Sequence, residues 1–395
     1  MTSLYDGIVN VYHKSPLIND KNFVRCTHNY QFDNNYASIV EQHNIHIEEF
    51  HNNEKIIIGS NNKPIDLDKD KINIIIPIVF HLLDPKLESK NHDFWETHIR
   101  DNIIKQLNND YNVSLTNFSS TYIANVNTLF KNADPIKKNF YLNSVSALPD
   151  NNNIKWDFIL CKVNIKPIPD LNIDSGKSDE IFNNIDLEDP ENYLNIVVVP
   201  GTQILGISVF PFSDRDQTDI SKIQNEFKFR NGILINTDMF TGAIVPFNKY
   251  RTFTHEIGHW CGLLHPFDNT TYKSSDTTNF GLNNLDFDKA LITGTIDQKI
   301  VGDLTADTVT QNQPTYGTVY DKVTTITKKI NGKLRNFKIR NTPYCYIFEN
   351  NFQTPNFYNF MDYTDDGQMC MFTQLQVLHM TFLLAKFRPN FVKQE

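Results

Sequence analysis

Cysteine is scarce in this chain, five in 395 residues. That excludes a small scaffold stapled by disulfides, although one pair could still bridge. A membrane span is also missing. The most apolar stretch, Ile72 to Leu83, is interrupted by Asn73, Pro77 and His81 and falls short of the roughly 18 residues a bilayer requires. Positive charge is in deficit, with 37 Lys and Arg against 46 Asp and Glu for a net charge of -9. No broad positive field exists to draw phosphate backbones or anionic lipid, so neither nucleic acid nor membrane is expected as a partner. The opening MTSLYDGIVNVYHKSP carries neither a basic leader nor an apolar block. The expectation from this is an intracellular or particle-packaged protein rather than a secreted one.

Large apolar side chains are abundant: 29 Phe and 16 Tyr are too many for a disordered chain. At roughly 100 to 200 residues per domain, the length predicts two or three domains. Residues 1 to 70 are polar and rich in Asn pairs, and KPIDLDKDK before Ile72 reads as a solvated linker. INIIIPIVFHLL then reads as a strand buried on both faces. Ile99, Ile103, Ile104 and Leu107 repeat at helical spacing within a helix from Trp95 to Tyr111. Further strands are predicted at 154–165, 195–199 and 232–236, giving a mixed α/β class. Thr373 and Gln376 form a capping-box pair that opens a C-terminal helix marked by Leu375, Leu378, Phe382 and Leu383.

Residues 255 to 265 read HEIGHWCGLLH, which places His255, Glu256, His259, Gly262 and His265 in the pattern H-E-x-x-H-x-x-G-x-x-H. Residues four apart share one helix face, so His255 and His259 can present ring nitrogens to a single ion, with Glu256 close beside them. Ile257, Trp260, Cys261 and Leu264 would bury the opposite face. Gly262 would end the helix in a left-handed turn, letting the reversed chain bring His265 to the same ion. Three neutral imidazoles leave one tetrahedral position open, the arrangement of a catalytic rather than a structural zinc site. The other histidines singled out, His81, His92 and His379, read as core or surface residues. About 100 residues later, FYNFMDYTDDGQMCMFT places Met361 where its thioether would pack beneath the metal-binding rings, and Tyr363 where its phenol could meet a developing oxyanion.

Together these elements resemble the metzincin zinc peptidases, and in detail the pappalysin family. RTFTHEIGHWCGLLHPF from Arg251 to Phe267 is similar to that family's zinc helix, and NFMDYTDDGQMCMFTQLQ from Asn359 to Gln376 to its Met-turn. IPIVFHLL, LGISVFPF and GDLTADTVTQ extend the likeness over roughly residues 72 to 388. The resemblance implies a metzincin-like α/β (α+β) fold, with a twisted mixed sheet, two long helices and an irregular C-terminal subdomain. Its divisions would be 1–70, an N-terminal extension and possible propeptide; 71–265, the catalytic subdomain with the zinc helix; and 266–395, the subdomain with the Met-turn. It implies a monomeric endopeptidase that hydrolyses internal bonds of protein or peptide substrates with a zinc-bound water. His255, His259 and His265 would ligate Zn2+, Glu256 would act as general base and Tyr363 as oxyanion donor.

Further implications concern individual residues. Arg25-Cys26-Thr27 resembles a propeptide motif that places a thiolate on zinc, with an ordinary free thiol as the alternative. Cys345 and Cys370 bracket the Met-turn as a disulfide pair does in family members, although an intracellular location would keep them reduced. Asp303 and Asp307 would bind structural Ca2+, unless they form a solvated acidic loop. Asp365 and Asp366 would favour Lys or Arg after the scissile bond. Cys261 and Leu378-His379-Met380 depart from the family pattern. The rival function is a catalytically silent, zinc-containing structural or interaction protein with the same fold, against which the general base Glu256 speaks.

Overall fold

The computed structural model describes residues 64–113 except 68, 153–211 except 176 and 177, 231–267, 358–367 and 369–395, together with 303, 305, 308 and 314. Outside these ranges the backbone is described for the short strands β1 (Ile8–Val9), β2 (Val24–Cys26) and β3 (Ile56–Ile58). The hairpin strands β10 (Val323–Ile330) and β11 (Lys333–Arg340), with β1 beside β11, form a small sheet described in the same way.

The main sheet is built around β5 (Ile72–Leu82), whose side chains alternate at first and are then continuously buried. Continuous burial is what a strand covered on both faces requires. β5 runs parallel to β6 (Ile154–Ile165) along its whole length and to β7 (Leu194–Val199) along its second half. β7 is followed in the sheet by β9 (Gly232–Asn236), then the antiparallel β8 (Ile204–Ser208), with β2 parallel at the edge. β12 (Val392–Gln394) returns the end of the chain antiparallel to the start of β5. The sheet is therefore mixed and the class is α/β, as predicted.

The parallel β5 and β6 need a crossover. It contains α1 (His92–His98), a π-helical stretch (Ile99–Ile104) and α2 (Lys105–Tyr111). The helix begins three residues before the predicted Trp95 because the Asn91 side chain caps it, accepting from Phe94 N at 3.0 Å. α2 also closes one side of the sheet. Asn108 exchanges two hydrogen bonds with the backbone of Phe158 (3.0 and 2.9 Å), and Asn112 does the same with Trp156 (2.9 and 3.0 Å). Four residues of helix rise about 6 Å and two of strand about 6.6 Å, so the spacings match and the side chains substitute for a further strand.

The remaining helices are α3 (Ser178–Asn183), α4 (Thr237–Thr241), α5 (Arg251–Trp260) and α6 (Gln374–Phe387). α5 packs against β8, β9 and α2. One large core holds β5, α2, α5 and α6 together, while a smaller one around Ile173, Phe182, Val197 and Leu234 covers the other face of the sheet. The stretch read as a solvated linker is a correction. It contains β4 (Pro64–Asp66), paired with β3, and both Ile65 and Leu67 are fully buried. An apolar residue at every second position of so short a segment is enough to seat it in the core.

Candidate metal centre

α5 carries the motif and is buried from Thr252 to Trp260. His255 and His259 lie one turn apart and bring their Nε2 atoms to 3.1 Å. The chain then reverses at Gly262, whose φ of 101° belongs to the left-handed region. Its N–H donates to His259 O at 2.7 Å, and a Cβ there would lie 2.2 Å from Leu383 Cδ1. Backbone conformation and lack of space both demand glycine. The reversal delivers His265 Nε2 to 3.0 Å from His259 Nε2, as the spacing predicted.

The opposite ring nitrogens explain why these contacts exist. His255 Nδ1 faces the carbonyl of Phe360 at 2.7 Å, and His259 Nδ1 faces that of Leu263 at 2.6 Å. A nitrogen facing a carbonyl carries the proton, so Nε2 of each neutral ring is left as a bare lone pair. Buried lone pairs converging at about 3 Å repel one another unless a cation lies among them. The three rings are at most 1% exposed, and their ligand atoms are grouped closely enough to hold a metal ion. The donor set fits a metal that accepts imidazole.

Around the triad, Tyr363 lies with its ring centroid 5.7 Å from His255 and 5.0 Å from His265. Phe267 stacks on His265 at 4.6 Å and meets Tyr363 edge-on, and Phe210 meets His259 edge-on at 5.7 Å. Sequence reasoning missed this aromatic collar, although Phe267 follows the last motif histidine by only two residues. Met361 is buried with its sulfur against α5, where a Cβ on Gly258 would come within 2.5 Å of it. Glu256 is fully buried and faces β8.

The first turn of α5 is bolted to α2. Thr254 Oγ1 donates to Asp110 at 2.7 Å, Arg251 approaches the same carboxylate at 3.3 Å, and Gln106 Nε2 donates to it at 2.7 Å. Burial pushes the Asp110 carboxyl above the usual Asp value, against the pull of the Arg251 charge and these hydrogen bonds.

Asp366, expected to face a basic residue of a substrate, is fully buried. Its Oδ2 accepts from the N–H groups of Lys249 (2.9 Å) and Arg251 (3.3 Å) at the start of α5, and Arg251 Nη1 donates to its carbonyl. Asp365 beside it is only 2% exposed. Asp303 is likewise buried, with one carboxylate oxygen bonded to Thr305 and the other accepting from Gln376 Nε2 at 2.8 Å; Asp307 lies outside the described residues. Cys370 is a free thiol that desolvation pushes up to about 12, while Cys345 lies outside the described residues. Cys261 is a buried free thiol, as its place in the helix suggested. Of the cysteine motif, Thr27 lies outside the described residues, and the backbone of β2 sets Cys26 opposite Gly206.

A second grouping, His92, Asp93 and Glu96, occupies an exposed turn of α1. Two of its members are already engaged: His92 Nε2 contacts Val163 O at 3.0 Å and Glu96 pairs with Arg100 at 2.7 Å. Among the described residues no helix is long and apolar enough to cross a membrane.

No family model matches the chain. It is 26% identical over 355 residues to an uncharacterized protein of Acanthamoeba polyphaga mimivirus, covering 81% of this chain and 34% of that one. It is 33% identical over 75 residues to an extracellular metalloprotease of Colletotrichum graminicola, 19% of this chain and 25% of that one. The chain thus spans about a third and a quarter of the lengths of these relatives. Among solved structures it is similar to a promirolysin mutant of Tannerella forsythia, with a TM-score of 0.49 and 18% identity over 93% of this chain and 96% of that one. A mature mirolysin of the same organism in complex with a cleaved peptide gives a TM-score of 0.42 and 21% identity over 79% and 92%.

Proposed function

We propose that the chain is a zinc-dependent endopeptidase of the metzincin type, close to the pappalysins, acting on internal bonds of proteins or peptides. The observation that carries this reading is the convergence of three buried imidazoles, two of them with Nδ1 held by a backbone carbonyl, with a carboxylate one residue after the first of them. His255, His259 and His265 would hold the ion. Zinc held there supplies Lewis acidity, acidifying a water and polarising the scissile carbonyl. Glu256 takes a proton from the attacking water and hands it to the leaving amine. The Tyr363 phenol donates a hydrogen bond to the carbonyl oxygen as it gains charge. Met361 supports the segment from below as a Met-turn. Residues 1–70 serve as a propeptide, with 71–265 and 266–395 as the two subdomains flanking the cleft. Support for latency through Cys26 comes from the register of β2, which runs along the otherwise open edge of β8.

The test is a fluorogenic-peptide assay of zinc-loaded protein after limited proteolysis, with and without a chelator, set beside Glu256→Ala. We expect chelation to abolish cleavage, and the variant to keep one zinc per chain while losing about a hundredfold to ten-thousandfold in turnover. Cleavage undiminished in Glu256→Ala overturns the assignment. Zinc bound without any cleavage in the native sequence favours the silent structural protein instead.

A further inference from the structure

We infer that Gly206 is a positioning residue for Glu256, opening in the edge of the sheet the space that the carboxylate occupies; this rests on the peptidase reading. Gly206 sits inside β8, paired with Ile235 on one side and with Cys26 on the other. A glycine inside a strand loses packing and conformational entropy, and its presence there often marks a close approach. Its backbone gives no reason for it, because the left-handed φ values among the described glycines belong to Gly242 and Gly262 alone. An L residue could adopt the conformation of Gly206 without strain. Space is what forbids one. A Cβ built at this position would lie 2.6 Å from Glu256 Cγ, 2.7 Å from its Oε1 and 2.8 Å from its Cδ.

All three of those atoms belong to the one side chain proposed to move protons, and Glu256 is fully buried, so it has no solvent into which to retreat. Its neighbours on the strand are anchored: Leu205 packs in the main core and Ile207 against the smaller one. β8 therefore cannot lift away without unpacking both faces of the sheet. A methyl group at position 206 must swing the carboxylate away from its place, while the imidazoles, held by the carbonyls of Phe360 and Leu263, stay where they are. The strand thus fixes the base and the helix fixes the ligands, two functions divided between two elements.

The test is a double-mutant cycle on the zinc-loaded full chain, combining Gly206→Ala with Glu256→Ala. In the native background Gly206→Ala should lower the melting midpoint by several degrees. In the Glu256→Ala background, where Cγ, Cδ and Oε1 are gone, the same substitution should cost almost nothing. If Gly206→Ala fails to fold natively but folds alongside Glu256→Ala, the conflict lies with Glu256 and the inference stands. Equal cost in both backgrounds, or failure to fold in both, overturns it. In the peptide assay, Gly206→Ala should lose about a hundredfold in kcat with KM little changed and zinc content intact. Full kcat in that variant also overturns the inference. Absence of cleavage by the native protein would sink the peptidase reading instead, and the melting cycle would still decide whether Gly206 sets the place of Glu256.

Discussion

α5 and α6 face the same problem, orphan N–H and C=O groups at each end, and meet it from opposite distances. α6 caps itself: Thr373 Oγ1 accepts from Gln376 N at 3.3 Å, and Gln376 Oε1 accepts from Thr373 N at 2.9 Å. α5 has no such device. Tyr250 stands at its cap with a φ of 61° and no side-chain bond, and the first residue is Arg251, the wrong sign for the positive end of the helix dipole. Asp366 supplies the missing acceptor from across the fold. At the other end, Arg388 Nη1 donates to Trp260 O at 2.7 Å. Its guanidinium lies 4.1 Å from the Trp260 ring, and Nη2 reaches Asn231 Oδ1 at 2.8 Å. The terminal helix can begin to form from its own sequence, whereas the helix bearing His255 and His259 has satisfied ends only once the distant C-terminal segments are in place.

The sharpest way to break this comparison is Asp366→Ala. Removing the carboxylate takes the acceptor from two N–H groups at the partly exposed start of α5, at a cost of about 1 to 3 kcal/mol in unfolding free energy measured with urea. Zinc affinity should fall with it, since the first turn leads directly into His255. The matching change in α6, Thr373→Ala, removes a local cap and should cost only about 1 kcal/mol. A cost for Thr373→Ala as large as that for Asp366→Ala would show that local and remote caps are equivalent here.

The same contrast decides what was legible in the sequence. The triad and its turn could be read because His255, His259, Gly262 and His265 act within three turns of chain, where periodicity translates directly into geometry. The capping box of α6 could be read for the same reason, as could the long apolar strands β5, β6 and β9, whose β-branched runs need no outside information. The carboxylate of Asp366 could not. Its position three residues beyond Tyr363 suggested a substrate pocket, and only the folded chain shows it meeting Lys249 and Arg251 more than 110 residues upstream. A local hint did exist: a buried helix that starts with Arg and lacks a capping side chain requires an acceptor from elsewhere. Gly206 and the paired Asn108 and Asn112 were equally hidden, because their reason lies in what approaches them and not in their own segment.

The smallest effect extends the comparison to the sheet, where His81 depends on remote partners as α5 does. The ring is 4% exposed, with Nε2 at 2.9 Å from Asn195 Oδ1 and Nδ1 at 3.4 Å from Asn164 Nδ2. Burial holds its pKa below the ordinary 6.5, and the hydrogen bond to Asn195 and the charge of Glu188 oppose this only in part. The folded chain therefore resists a proton that the unfolded chain accepts near pH 6.5, so stability present above that pH is lost as the pH falls. The informative quantity is a difference between two metal-free proteins, in which every contribution they share cancels. Between pH 7.5 and 6.0 the native chain should lose up to about 0.8 kcal/mol more than His81→Gln, which keeps a donor and an acceptor but cannot be charged. Equal losses, read from urea midpoints at the two pH values, would mean that the strands around His81 admit the proton as freely as water does.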